Sequence, residues 1–299
     1  MHPPAFACII DLHILNFAGN DTDSMLDEGI HMEKYEDIFK NHAGLVANKW
    51  IHYFHIYDRI FAEYRQRNTA LSVLEIGVDQ GGSLEIWKKY FPKGTQIHGI
   101  DINPDCEKLS FSEDIFFHLG NATERVFMEK TFADIAFDVI IDDGSHTSSD
   151  VIKTFEIMFP HLKWGGIYVV EDLHSSYWQS HGGGFRKKGS SIEYFKNLVE
   201  AVNFCWITSP AGVLPDRFTK ATRYRLKKTE ESRSGVDLAP FIDSIAFFDS
   251  VCVIRKYACP KHAPLRSVLT GDADTKIVNC YKNEMEQVES IRRMYGDRP

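Results

Sequence analysis

The sequence predicts an α/β fold: a mostly parallel seven-stranded sheet with helices on both faces, preceded by an N-terminal helical cap and closed by a C-terminal antiparallel hairpin. Three observations predict it. Short β-branched and apolar runs alternate with helical patterns from residue 72 to residue 171, which is how a parallel sheet covered on both faces reads. The first run ends in a glycine-rich turn, Gly77-Val78-Asp79-Gln80-Gly81-Gly82, that leads directly into a helix. Two last runs, 244–248 and 251–255, are separated only by Asp249-Ser250, the spacing of a hairpin.

Taken in order, the elements divide the chain into three parts. Between residues 25 and 65, apolar side chains recur at helical spacing, as in Trp50, Phe54, Tyr57, Ile60, Phe61 and Tyr64, so residues 1–69 read as a helical extension. Strands at 72–76, 96–101, 116–119, 137–142 and 167–171 then alternate with helices at 84–90, 123–130 and 151–159. A Gly182-Gly183-Gly184 loop precedes a helix at 192–202, and residues 208–238 are polar without periodicity. The hairpin completes a catalytic domain at 70–257, and the tail at 258–299 carries a helix around 284–294.

Composition narrows the function classes. At 299 residues, with 43% hydrophobic and 25% charged residues, the chain reads as an ordinary globular protein. Asp and Glu number 42 against 34 Lys and Arg, a formal charge of -8, which disfavours nucleic acid as a partner because phosphates need clustered cations. Six cysteines occur without a C-x-x-C pair, so neither a zinc ribbon nor a disulfide framework is expected, and reduced thiols in a cytoplasm fit. The apolar stretch 5–18 has no preceding Lys or Arg and contains Asp11 and His13, so it is expected to be neither a signal peptide nor a membrane span, for which it is too short. No membrane partner is expected, and a homo-oligomer is.

The glycine turn after the first strand lets the backbone approach a ligand at a helix N-terminus. Its spacing, Glu75-Ile76-Gly77-Val78-Asp79-Gln80-Gly81, departs from the G-x-G-x-x-G of dinucleotide enzymes and fits the acidic-x-Gly-x-x-x-Gly pattern of S-adenosylmethionine sites. Asp101 ends the second strand, where a carboxylate accepts hydrogen bonds from a ribose diol. Asn121, after the third strand, stands either at the adenine edge or as a helix N-cap. The core is therefore read as Rossmann-like.

Strand four ends in Asp142-Asp143-Gly144-Ser145-His146 and strand five in Glu171-Asp172-Leu173-His174. Carboxylates gathered at one sheet edge repel and raise each other's pKa unless a cation or water offsets them. Asp143, Glu171 and Asp172 supply the hard oxygen ligands that Mg2+ or Mn2+ accepts. His146, three residues beyond Asp143, either shares that site, orients a neighbour or caps a helix; His174 reads as a loop residue.

At these motifs the chain resembles the metal-dependent macrolide-sugar O-methyltransferases, of the mycinamicin and macrocin type, and related proteins of the cephalosporin hydroxylase-like group. The resemblance rests on Asn48-Lys49-Trp50-Ile51-His52-Tyr53-Phe54, the turn 75–83, Gly99-Ile100-Asp101, residues 142–146, 169–177 and 244–254. It implies a class I methyltransferase fold, S-adenosylmethionine as cofactor, a divalent metal on Asp143, Glu171 and Asp172, and His146 as general base. Glu75, Gly77, Ser83, Asp101, Asn121 and Asp142 would then line the cofactor side, although the family commonly carries Asp at the position of Asn121. The implied acceptor is a hydroxyl of a sugar or of a glycosylated natural product. Two other classes stand beside this reading. A metal-dependent hydroxylase would need two histidines and a carboxylate around iron, where this cluster offers mainly oxygens. A non-catalytic nucleotide-binding protein would use the same fold without chemistry.

Overall fold

The computed structural model describes residues 32–67, 69–203 and 238–258. Expectations for the first 31 residues, for the polar stretch up to 237 and for a tail helix at 284–294 lie outside the described residues.

Seven strands form one sheet: β1 Ser72–Ile76, β2 Gln96–Asp101, β3 Ile115–Leu119, β4 Phe137–Asp142, β5 Leu162–Val170, β6 Ile242–Phe247 and β7 Cys252–Lys256, in the order β3-β2-β1-β4-β5-β7-β6. The first five run parallel, and β7 is antiparallel to both β5 and β6. The order reverses between β1 and β4, so their following loops diverge and leave a crevice beyond the C-terminal ends of the strands.

Alternation of side chains along each strand sorts the core into two layers. Val73, Ile97, Val139, Ile141, Ile167 and Val169 point to one face, while Leu74, Ile76, Ile100, Ile140, Tyr168 and Val170 point to the other. Every residue of β1 and β4 is buried, as central strands covered on both sides require.

Helices α1 Tyr35–Lys40, α2 Tyr53–Gln66 and α3 Gly82–Tyr90 cover the first face. On α2 the spacing of Tyr53, Tyr57, Phe61 and Tyr64 puts four rings on one stripe, and all four are fully buried. Phe61 alone is worth about 1.5–3 kcal/mol in burial. The tyrosines also need partners for their hydroxyls: Tyr64 donates to the Gly165 carbonyl at 2.7 Å, while Tyr53 and Tyr57 reach acids at the sheet edge.

The N-terminal helical pattern is thus realised as two helices joined by a non-helical arm at 41–52. The arm lies against α3, with the Gly82 N–H donating to Val46 O at 3.1 Å and the Leu45 N–H donating to Glu85 Oε2 at 2.7 Å. A Cβ on Gly82 would stand 2.2 Å from Leu45 O, so only glycine permits this approach.

Helices α4 Arg125–Thr131, α5 Ser148–Met158, α6 Ser191–Asn197 and α7 Val199–Val202 cover the second face. The helix read at 192–202 is broken at Leu198 into α6 and α7. Strand β5 begins five residues before the predicted 167, because Gly165 (φ 75) and a register shift between Phe137 and Val139 absorb what reads locally as a turn. Among the described residues no helix is long and apolar enough to cross a membrane.

Candidate active site

Backbone hydrogen bonds lace the crevice floor: Gly77 N–H donates to Ile100 O and Asp143 N–H to Ile76 O, each at 2.9 Å. Gly77 has φ 93, and a Cβ there would lie 2.1 Å from Asp143 O. The Asp101 carboxylate accepts the N–H groups of Val78 (2.8 Å) and Asp79 (3.1 Å) on Oδ2 and that of Asn103 (2.8 Å) on Oδ1. It therefore fixes the glycine turn while its remaining lone pairs face a cleft of about 620 Å3.

Of the residues singled out in the sequence, Gly77, Ser83, Asp101, Asn121, Asp142, Asp143, His146 and Asp172 line this one cleft. Glu75 and Glu171 stand behind its wall, 0% and 2% exposed. Ser83 Oγ donates to Glu75 Oε2 at 2.6 Å. Asn121 Oδ1 accepts both the N–H and the hydroxyl of Thr123 at 2.9 Å, so it closes a turn ahead of α4 and lines the cleft as well.

The acids divide into distinct environments. Asp142 is buried and accepts the Tyr168 hydroxyl at 2.9 Å; burial pushes its carboxyl up to about 7 against the opposing pull of that hydrogen bond. Asp143, His146 and Asp172 bring one ligating atom each to within 4.8 Å of one another. His146 Nε2 lies 3.6 Å from Asp172 Oδ2 and 3.9 Å from Asp143 Oδ1. Both His146 (φ 53) and Asp172 (φ 50) adopt left-handed backbone conformations, a cost tolerated where the surroundings enforce a geometry. Asp172 Oδ1 accepts Trp50 Nε1–H at 3.0 Å and the Tyr53 hydroxyl at 2.7 Å.

Lys49 carries no role in the sequence reading beyond its place in the matching run, yet it organises the acids. Its Nζ lies 2.5 Å from Asp143 Oδ2, 2.8 Å from Glu171 Oε2 and 3.4 Å from Glu75 Oε1, with the side chain 3% exposed. Burial alone would lower the lysine pKa, but Asp143, Glu171 and Glu75 outweigh it and hold the ammonium well above its usual range. Glu171 spends its other oxygen on the Tyr57 hydroxyl at 2.7 Å. Burial first, then Asp143, raises the Glu171 carboxyl despite Lys49. One buried cation thus spans the floor between β1, β4 and β5.

Residues 74–173 match a family model described as a methyltransferase domain. The chain is 38% identical over 158 residues to mycinamicin VI 2''-O-methyltransferase of Micromonospora griseorubida, covering 49% of this chain and 38% of that protein. It is 36% identical over 178 residues to 8-demethyl-8-alpha-L-rhamnosyl tetracenomycin-C 2'-O-methyltransferase of Streptomyces olivaceus, covering 56% and 46%. The chain spans less than half the length of these curated relatives. Among solved structures, it superposes on MycE methyltransferase from the mycinamycin biosynthetic pathway, in complex with Mg and SAH, with a TM-score of 0.58 and 26% identity over 79% of this chain and 56% of that one. A MycE complex that also holds mycinamycin VI gives a TM-score of 0.54 at 28% identity over 70% of this chain and 51% of that one. The segment 74–173 therefore matches a methyltransferase domain, and the chain is similar in sequence and in fold to macrolide-sugar O-methyltransferases.

Proposed function

We propose that this chain transfers a methyl group from S-adenosylmethionine to a hydroxyl of a sugar or sugar-bearing small molecule, assisted by Mg2+ or Mn2+. The observation that carries this reading is a single cleft with Asp101 and the glycine turn at one end and Asp143, His146 and Asp172 at the other. The residues fit the two groups. The glycine turn Gly77-Val78-Asp79 and Asp101 line the open cleft together, and the clustered donors are mainly hard carboxylate oxygens. Glu75, Gly77, Ser83, Asp101, Asn121 and Asp142 would belong to the cofactor side; Asp143 and Asp172 would hold the cation beside His146, and Glu171 would join them only by giving up its bond to Lys49 or to Tyr57.

When bound, the cofactor supplies an electrophilic methyl and the cation supplies the charge that acidifies a weakly acidic hydroxyl. The protein's own contribution is alignment, which accounts for a large share of rate in a bimolecular displacement. Trp50 and Tyr53 fix Asp172, and Lys49 and Tyr57 fix Glu171. His146 Nε2 would accept the proton that the acceptor hydroxyl gives up on methylation, the products being a methyl ether and S-adenosylhomocysteine. A reducing cytoplasm suits Cys106 and Cys252, both buried as free thiols.

Calorimetry with S-adenosylhomocysteine, with and without magnesium, together with methyl transfer to a rhamnoside or macrolide glycoside, tests the reading. Binding of the nucleoside and loss of turnover on chelation, restored by magnesium, are expected. Absence of nucleoside binding removes the reading, and full turnover in exhaustively chelated protein removes the cation.

A further inference from the structure

Beside the acid cluster, next to Asp172, a row of rings stands partly open to solvent. Trp50, Tyr177, Trp178 and Phe185 are 54%, 46%, 50% and 79% exposed, whereas the large rings that build the core are sealed. Isolated exposed apolar residues are ordinary, but contiguous ones mark binding surfaces. Trp50 and Trp178 are joined through His174. Trp50 meets His174 edge-on with ring centres 5.8 Å apart, and His174 meets Trp178 at 4.8 Å and 69°. Trp178 in turn meets His181 at 5.5 Å.

The row is held rigidly and starts at the chemistry. His174 is clamped by Ser250, whose Oγ lies 2.5 Å from its Nδ1 and accepts its backbone N–H at 3.2 Å. Trp50, the first ring, donates Nε1–H to Asp172 Oδ1. Along the sheet edge, Asp101 ends β2, the acids follow β4 and β5, and Ser250 lies in the β6–β7 turn. Strands about 4.8 Å apart set β2 and β5 on the order of 14 Å apart. Donor, acids and rings therefore follow one another in a line, with the rings on the side away from Asp101.

We propose that the row Trp50, His174 and Trp178 is the subsite for the acceptor: the sugar's C–H face lies on the rings beside Asp172, and an apolar aglycone extends over Trp178. This rests on the methyl-transfer reading for the position of the reacting hydroxyl. The chemistry matches because an aromatic face is electron-rich and attracts polarised C–H groups, and a half-exposed indole combines apolar area with little entropy cost on binding.

Two probes, methyl α-L-rhamnopyranoside and mycinamicin VI, are titrated into the full chain with S-adenosylhomocysteine and magnesium present, reading tryptophan fluorescence. Mycinamicin VI is expected to bind more tightly than the bare glycoside. In Trp178→Ala its affinity falls about three- to tenfold, as loss of one aromatic contact implies, while nucleoside affinity holds and Trp178→Phe recovers most of the loss. Wild-type protein that does not bind mycinamicin VI saturably, or Trp178→Ala that binds it as well as wild type, overturns the proposal. A change in solution mass in Trp178→Ala with unchanged probe affinity assigns the rings to a contact between copies and overturns it as well. Nucleoside affinity measured on the same samples separates the two readings, because its absence defeats methyl transfer while the glycoside titration still judges the ring row.

Discussion

Replacing Lys49 by Met, which keeps the length of the stem and removes the charge, leaves Asp143, Glu171 and Glu75 facing one another with nothing between them. Lys49 and Glu171 are almost sealed from water and Glu75 is fully sealed, so solvent screening offsets little of the loss. Breaking a buried ion pair by removing one partner costs about 3–5 kcal/mol, because the remaining charge stays buried and unpaired. At about 2–4 °C per kcal/mol for a domain of this size, Lys49→Met should melt roughly 6–20 °C below wild type. The deficit should shrink in millimolar magnesium, since a cation that binds only the folded state stabilises it by mass action and meets no competing ammonium in the variant. Lys49→Arg keeps the charge and should lie between the two. Differential scanning calorimetry of the three proteins, with magnesium and with chelator, reads all of this directly. A Lys49→Met protein that melts within about 2 °C of wild type, with the same magnesium response, would refute the claim that this ammonium neutralises the acid cluster.

Other expectations concern the rest of the cleft. Asp101→Ala should weaken S-adenosylhomocysteine by about 1–3 kcal/mol by calorimetry, for the hydrogen bonds lost; unchanged affinity in a folded variant would show that Asp101 serves only its own turn. Burial raises the Asp142 carboxyl to about 7 from an unfolded value near 3.9. Its contribution to stability is therefore complete below about pH 3.9 and is lost as pH rises through about 7. Urea midpoints of Asp142→Asn should accordingly fall less steeply over that range than those of wild type, and parallel curves would contradict the shift. His146→Ala should lower kcat by about 10²–10⁴-fold with magnesium affinity preserved, whereas Glu171→Gln should weaken magnesium. If the histidine variant loses magnesium affinity too, His146 is a ligand and not the base.

The parts of the fold legible in the sequence were those governed by local pattern. β1, β2 and β4 fall where their apolar runs end, and each terminates in the acid or glycine that the cleft uses: Ile76 before Gly77, then Asp101 and Asp142. The hairpin followed from Asp249-Ser250. Boundaries failed where a glycine reads as a breaker but serves another purpose, as Gly165 does inside β5. The helical stripe of α2 was legible as amphipathic, but its second use was not. Tyr53 and Tyr57 look like core residues, and they are, yet their hydroxyl tips hold Asp172 and Glu171 more than a hundred positions away.

The site was legible as a list of acids and not as an electrostatic arrangement, and Lys49 shows why. Its partners lie 26, 94 and 122 residues away, and no periodicity or spacing rule connects them. What the sequence does contain is an imbalance: acids crowd two adjacent strand ends with no basic residue nearby in the chain, and like charges in a low-dielectric site require a counter-charge from somewhere. The arm between α1 and α2 delivers one ammonium to that place, and the arm can reach it only because Gly82 lets Val46 and Leu45 pass close over α3. Burial raises the Glu171 and Glu75 carboxyls even beside Lys49, and the neighbouring Asp143 adds to the rise. Lys49 therefore steadies the folded protein by offsetting acids that burial would otherwise drive toward protonation, while Asp172 is held from the other side by Trp50 and Tyr53.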